Sequence, residues 1–211
     1  MKTFMLAAGL IAFATGAGAV ARAGSHDDSQ PLAIGAKVPL ADAKLKSATN
    51  GKEVSLSKLA GPQGTLVVFT ANGCPFARAW EERIVALGNT YSKKGVGVLL
   101  INSNNPATSK GDAFDLMQQR AKERGMTFPY AVDPESTLAR AFGAAKTPEA
   151  YLFDKTGLLV YHGTIDDNHE DASKVTKTYL KDALEAVIAG KKPPMAETKS
   201  LGCGIKFPKT S

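Results

Sequence analysis

The sequence predicts one α/β domain, a central mixed sheet flanked by helices and extended at its N-terminal side by a β-hairpin. Three observations predict it. Two short apolar runs rich in β-branched residues, Leu66 to Phe69 and Val96 to Asn102, read as buried strands. Segments with helical spacing follow each of them, and strand–helix–strand units imply a parallel centre. A later pattern around Asp154-Lys155-Thr156-Gly157 reads as a hairpin and adds antiparallel strands. With 211 residues, 44% of them hydrophobic, the chain can bury one core and little more.

The elements follow in order. Leu45 to Leu56 reads as two short strands around the Asn50-Gly51 turn, whose residues tolerate positive φ. Gly61-Pro62-Gln63-Gly64 is a break before the first buried strand. After Asn72-Gly73-Cys74-Pro75, Trp80, Ile84, Leu87 and Tyr91 recur at helical spacing, and Pro75 suits the first helical turn. Asp112 to Arg124 is a second amphipathic helix closed by Gly125. Tyr130 to Val132 is a short strand and Ser136 to Phe142 a short helix. Ala150 to Phe153 and Leu158 to Tyr161 form the hairpin. The last helix runs from about Lys174 to Ala189 and stops at Gly190.

The two ends differ from this core. Residues 1–23 carry a positive start, an apolar run from Leu6 to Val20 and the small-residue pattern Ala21-Arg22-Ala23, which together predict a cleaved secretory signal peptide. The expected domain spans residues 31–190, and residues 191–211 form an extended arm carrying Cys203. Cleavage removes Lys2 and Arg22 and no acid, so the net charge of +6 falls to +4. The basic residues are scattered, which excludes the stripe expected of a nucleic-acid-binding protein. Export implies a periplasmic or secreted protein in an oxidising compartment with no membrane span after cleavage. There, an even pair of cysteines reads first as a disulfide.

Cys74 lies between a buried strand and a helix N-terminus. Unpaired N–H groups and the positive end of the helix dipole stabilise a thiolate there, which is how reactive cysteines arise. An inert buried cysteine is the competing reading. Val68-Phe69-Thr70-Ala71-Asn72-Gly73-Cys74-Pro75-Phe76-Ala77 resembles the active-site strand and loop of the thioredoxin superfamily, and most closely its peroxiredoxin-like redoxin branch, the alkyl hydroperoxide reductase and thiol-specific antioxidant group. Gly35 to Pro39, Asn50-Gly51 with Val54 to Leu59, and Thr147 to Gly157 resemble further stretches of that group. Gly163 to Asn168 and Gly202-Cys203-Gly204-Ile205-Lys206 resemble the tail of a periplasmic subgroup. The resemblance implies a thioredoxin-like fold, Cys74 as nucleophile, and a cis-proline at Pro148. It also implies substrate docking at Thr147, Pro148, Asn72 and Pro75.

The departures narrow the expectation. Ala77 stands where a dithiol enzyme has its second cysteine, so any resolving thiol comes from elsewhere. Ala71 stands where peroxiredoxins carry the threonine that orients peroxide, and Val67 replaces their upstream proline. Cys203, flanked by Gly202 and Gly204, is the obvious partner. It either resolves a sulfenate or mixed disulfide on Cys74 or closes a permanent staple. Glu81 or Glu82 reads either as a proton relay near Cys74 or, more commonly for first-turn acids, as a complement to the helix dipole. Asp166-Asp167-Asn168 with His162, His169 and Asp171 reads as a solvated turn without metal-site spacing.

The expected function is an exported thiol-disulfide oxidoreductase acting on a thiol or disulfide protein partner, supplied with electrons by an external thiol and needing no organic cofactor or metal. A hydroperoxide-consuming peroxidase at the same cysteine is the first alternative. A non-catalytic binding protein with a structural disulfide is the second.

Overall fold

The computed structural model describes Met1 and residues 30–209, so the expected signal segment lies, Met1 apart, outside the described residues. The central strand β3 (Gly64–Phe69) is buried along its whole length. It runs antiparallel to β7 (Glu149–Asp154), with Val67 opposite Tyr151, and β7 pairs antiparallel with β8 (Leu159–Gly163). A second set of strands has the order β2-β1-β5-β4, made of β1 (Leu45–Ser47), β2 (Glu53–Val54), β4 (Val96–Asn102) and β5 (Tyr130–Val132). Here β4 and β5 are parallel and the other pairs antiparallel. The two sets meet where β3 lies beside β4, and the Thr70 N–H donates to Ile101 O at 2.8 Å. The sheet is mixed, as the sequence predicts.

Strand alternation explains why the central runs are apolar throughout. Leu66 and Val68 face one core with Val98 and Leu100, whereas Val67 and Phe69 face the other with Leu99 and Ile101. The first core receives Trp80 and Ile84 from α2 (Pro75–Lys93) and Leu180 and Leu184 from α5 (Tyr179–Ile188). The same core takes Met117 from α3 (Phe114–Glu123), while the second receives Leu138 and Phe142 from α4 (Thr137–Phe142). Gly88 is required where α2 crosses Phe128, because a Cβ there would lie 2.3 Å from the ring.

Three boundaries differ from expectation. Leu56 opens the short helix α1 (Leu56–Leu59) instead of ending β2. The second amphipathic helix starts at Phe114, since Lys110–Asp112 is a 3-10 turn that buries the Asp112 side chain. The last helix starts at Tyr179, after a 3-10 turn at Ala172–Lys174 in which Asp171 accepts from the Ser173 N–H at 2.9 Å.

The arm folds back over the domain. Thr198 N–H donates to His162 O at 2.9 Å, and β9 (Cys203–Gly204) pairs antiparallel with β6 (Lys146–Thr147), placing Cys203 opposite Thr147. Ile205 joins the second core and Arg140 stacks on Phe207, with its guanidinium carbon 4.6 Å from the ring centre. Neither β6 nor β9 carries a recognisable local pattern. Both are two-residue strands held by long-range pairing.

Candidate active site at the Cys74 loop

Cys74 is the N-cap of α2, and Pro75 occupies the first helical position, where its missing N–H is harmless. The cap is made by sulfur: Cys74 Sγ accepts from the Ala77 N–H at 3.4 Å. In its thiol form Cys74 donates to Thr147 O at 3.0 Å. The side chain is 4% exposed and packs with Ala71, Ala77, Phe76 and Cys203. Burial pushes the Cys74 thiol up. The polar groups of Cys203 and Thr147 around it, together with the Ala77 N–H, outweigh that and hold the thiol below its ordinary range. Cys203 moves the other way: its own burial, then the hydrogen bond and negative charge of Cys74, push its thiol up.

The Thr147–Pro148 peptide bond is cis, and it sets Thr147 against Cys74. The Glu149 side chain organises this turn. Its Oε2 accepts from the Ala145 and Lys146 N–H groups at 2.9 Å each, and its Oε1 lies 2.6 Å from His162 Nε2 and 3.2 Å from Ser200 Oγ. Burial pushes the Glu149 carboxyl up, but the His162 and backbone hydrogen bonds prevail and leave it below its ordinary value.

A buried polar network sits on the other side of the thiol. Asp112 Oδ1 accepts from the Asn72 N–H at 2.7 Å, the Gly73 N–H at 3.4 Å and Asn102 Nδ2 at 2.9 Å. Its Oδ2 accepts from Asn104 Nδ2 at 2.8 Å, and Asn104 Oδ1 accepts from the Lys206 N–H at 2.8 Å. Tyr130 Oη donates to Asn72 Oδ1 at 3.0 Å. Asn72 therefore spends its side chain on fixing the loop, while Pro75 is exposed on its rim. A cavity of about 280 Å³ opens here, lined by Gly73, Cys74, Asn104, Asp112, Cys203 and Lys206 among others.

The sequence-predicted residues Cys74, Cys203, Thr147, Pro148, Asn72 and Pro75 thus converge on one place. Sequence reasoning missed Asp112, Asn104, Glu149 and His162. One signal was available: the polar run Asn102-Ser103-Asn104 closes an otherwise apolar strand, and the carboxyl ends of sheet strands are where α/β proteins build sites. Two expectations need correction. Glu81 is beyond the first turn of α2, which contains no acid, and its carboxylate pairs with Arg120 Nε at 2.6 Å and Arg124 Nε at 2.7 Å. Asp166 is not in a solvated turn: it is buried, accepting from Trp80 Nε1 at 2.7 Å and pairing with Arg83 at 2.6 Å. Arg83 of that anchor also donates to His169 O at 3.0 Å, and the His169 ring lies 4.8 Å between centres from Phe76, which packs against Cys74.

Among the described residues no group of three or more His, Cys, Asp or Glu side chains has metal-binding geometry, and no helix is long and apolar enough to cross a membrane. Comparison with known proteins gives a consistent picture. The chain is similar to a crystal structure of an uncharacterised conserved protein from Geobacillus kaustophilus, with 32% identity, TM-score 0.79, and coverage of 85% of this chain and 94% of that one. A solution structure of a thioredoxin-like protein in the oxidised form shares the fold, with TM-score 0.58 and 22% identity over 75% of this chain and 98% of the other. The thiol-disulfide oxidoreductase ResA of Geobacillus thermodenitrificans is 25% identical over 139 residues, covering 65% of this chain and 70% of that protein. The fold is thioredoxin-like. Residues 34–162 match the AhpC/TSA family. That stretch is more than half of the chain and contains the Cys74 loop, the cis-proline turn and the hairpin after it, so the chain belongs to the AhpC/TSA family of redoxins.

Proposed function

We propose that the protein is an exported thiol oxidoreductase in which Cys74 is the nucleophile and Cys203 its resolving thiol. The observation that carries this reading is the folded-back arm, which packs Cys203 against Cys74 and pairs it with Thr147, whose carbonyl accepts from the Cys74 thiol. The likeness to ResA supports thiol–disulfide exchange, and the N-terminal sequence pattern supports export.

The chemistry runs in two steps. Cys74 thiolate attacks an oxidised sulfur, the attacked bond breaks, and the departing thiolate carries away the electron pair. Cys203 then loses its proton and attacks Cys74 Sγ, releasing the second thiolate and leaving a Cys74–Cys203 disulfide. The order is built into the charges. While Cys74 is a thiolate, its charge helps keep Cys203 protonated; once Cys74 is in a mixed disulfide that charge is gone, and Cys203 ionises more readily. Thr147 and Pro148 form the backbone edge beside the thiol, on which the arm seats Cys203. An external thiol restores the dithiol, and the reaction needs no organic cofactor.

Non-reducing peptide mass spectrometry tests this reading. The mature protein is treated with mild oxidant and then with glutathione. A Cys74–Cys203 disulfide that forms and is reversed supports exchange. A bond present throughout and resistant to reduction identifies a structural staple, and the catalytic reading then fails. Rapid passage of Cys74 through a sulfenate on hydrogen peroxide would instead favour a peroxidase.

A further inference from the structure

The docking edge beside Cys74 is already filled. In the thioredoxin-like arrangement the strand ending at the cis-proline offers its backbone to whatever lies against the thiol, and here that neighbour is the chain's own β9. The fit is tight. A Cβ on Gly202 would stand 2.2 Å from Thr147 O, and one on Gly163 would stand 2.0 Å from Thr198 Oγ1, so the arm lies directly on the backbone it covers. It is fastened on both sides of Cys203. Before it, Ser200 bonds Glu149 and Thr198 bonds His162 O. After it, Ile205 is buried, Ile205 N–H donates to Ala145 O at 3.0 Å, and Asn105 N–H donates to Lys206 O at 2.8 Å.

We propose that the seated arm makes Cys74 selective for low-molecular-weight disulfides, which reach it through the 280 Å³ cavity, and excludes extended polypeptides from the Thr147 edge. This rests on the exchange reading above and names the substrate class for that site. Gly202 is the specificity-determining position, since only a residue without a side chain lets the arm lie on Thr147 O. The step balances with a small disulfide RSSR. Cys74 thiolate takes one sulfur and releases RS⁻. Deprotonated Cys203 then displaces the second RS⁻ and closes the protein disulfide, so two thiols are made as two are oxidised.

The test uses the full-length mature chain carrying Cys203→Ser, which keeps the arm and stops the reaction at the mixed disulfide on Cys74. Its rate of adduct formation is followed by intact mass with two probes, 2-hydroxyethyl disulfide and a short unstructured peptide dimerised through one cysteine. The small probe is expected to react faster by about ten-fold or more. Adding Gly202→Val lifts the arm and is expected to raise the peptide rate about ten-fold while changing the small-probe rate about two-fold at most. Ile205→Ala, which loosens the arm without touching Thr147, is expected to shift the ratio in the same direction and covers the case in which Gly202→Val fails to fold. Equal rates with both probes before the arm is loosened overturn the proposal. So does a peptide rate unmoved in the folded arm variants. No adduct on Cys74 with either probe overturns the exchange reading itself, and this proposal with it.

Discussion

The Asp112 carboxylate accepts hydrogen bonds from the backbone ahead of Cys74 and from two asparagines at the end of β4, one of which holds Lys206 of the arm. Removing a buried acceptor leaves its donors without partners, which costs more than the bonds themselves contribute. Asp112→Ala is expected to lower stability by about 3 kcal/mol in urea denaturation. It should also slow alkylation of Cys74 relative to the parent protein, because the loop that presents the thiol loses its anchor. The thiol itself yields a second expectation. Hydrogen bonds hold Cys74 below its ordinary range, so its thiolate is present at pH values where an unfolded cysteine is still protonated. The iodoacetamide rate plotted against pH should therefore level off at lower pH for the native chain than for the chain in denaturant. Replacing Cys203 by alanine removes a donor to the thiolate and should move that profile upward.

At the scale of elements, local pattern and long-range pairing divide the molecule. The helical spacing of Trp80, Ile84 and Tyr91 and the apolar run Val96 to Asn102 are legible because each records a face buried along one continuous segment. The cis-proline was legible through family resemblance alone, since nothing in the residues around Pro148 encodes it. Asp112 reads as the start of a helix, because an acid before an amphipathic stretch ordinarily is one. Its inward turn depends on donors from Asn72 and Asn102, which no local window contains. The same reason hid β6 and β9, whose partners lie far apart in sequence. The arm's fastening predicts a local effect: Phe207→Ala, by removing the stack on Arg140, should increase hydrogen exchange at Thr147 and Cys203 while leaving β3 and β7 protected.

For the whole molecule, two conditions should change stability. Glu149 is held below its ordinary carboxyl value of 4.5 by His162 and two backbone N–H groups, against the opposing effect of burial. A depressed folded-state value means that its contribution is fully present above the unfolded value and is lost as pH falls through the folded one. Urea midpoints measured downward from about pH 5 should fall, and Glu149→Gln should flatten that decline. Oxidation acts in the opposite direction. A Cys74–Cys203 bond would close a long loop, and chain entropy assigns about 5 kcal/mol to such a closure. The oxidised chain should denature at higher urea than the reduced one, and Cys203→Ser should abolish the difference.

The position of Cys203 also has a consequence for how the protein is made. Chains emerge amino end first, and domains begin to fold as they do so. β3, α2 and the cis-proline turn are all synthesised before the arm that covers them. Through that interval Thr147 has its edge open and Cys74 lacks Cys203 beside it, so the nascent chain exposes a thiol that the folded chain buries. A cysteine-directed reagent that meets the chain before residues 198–207 are made therefore meets a different molecule from the folded one, and the change occurs when the arm seats.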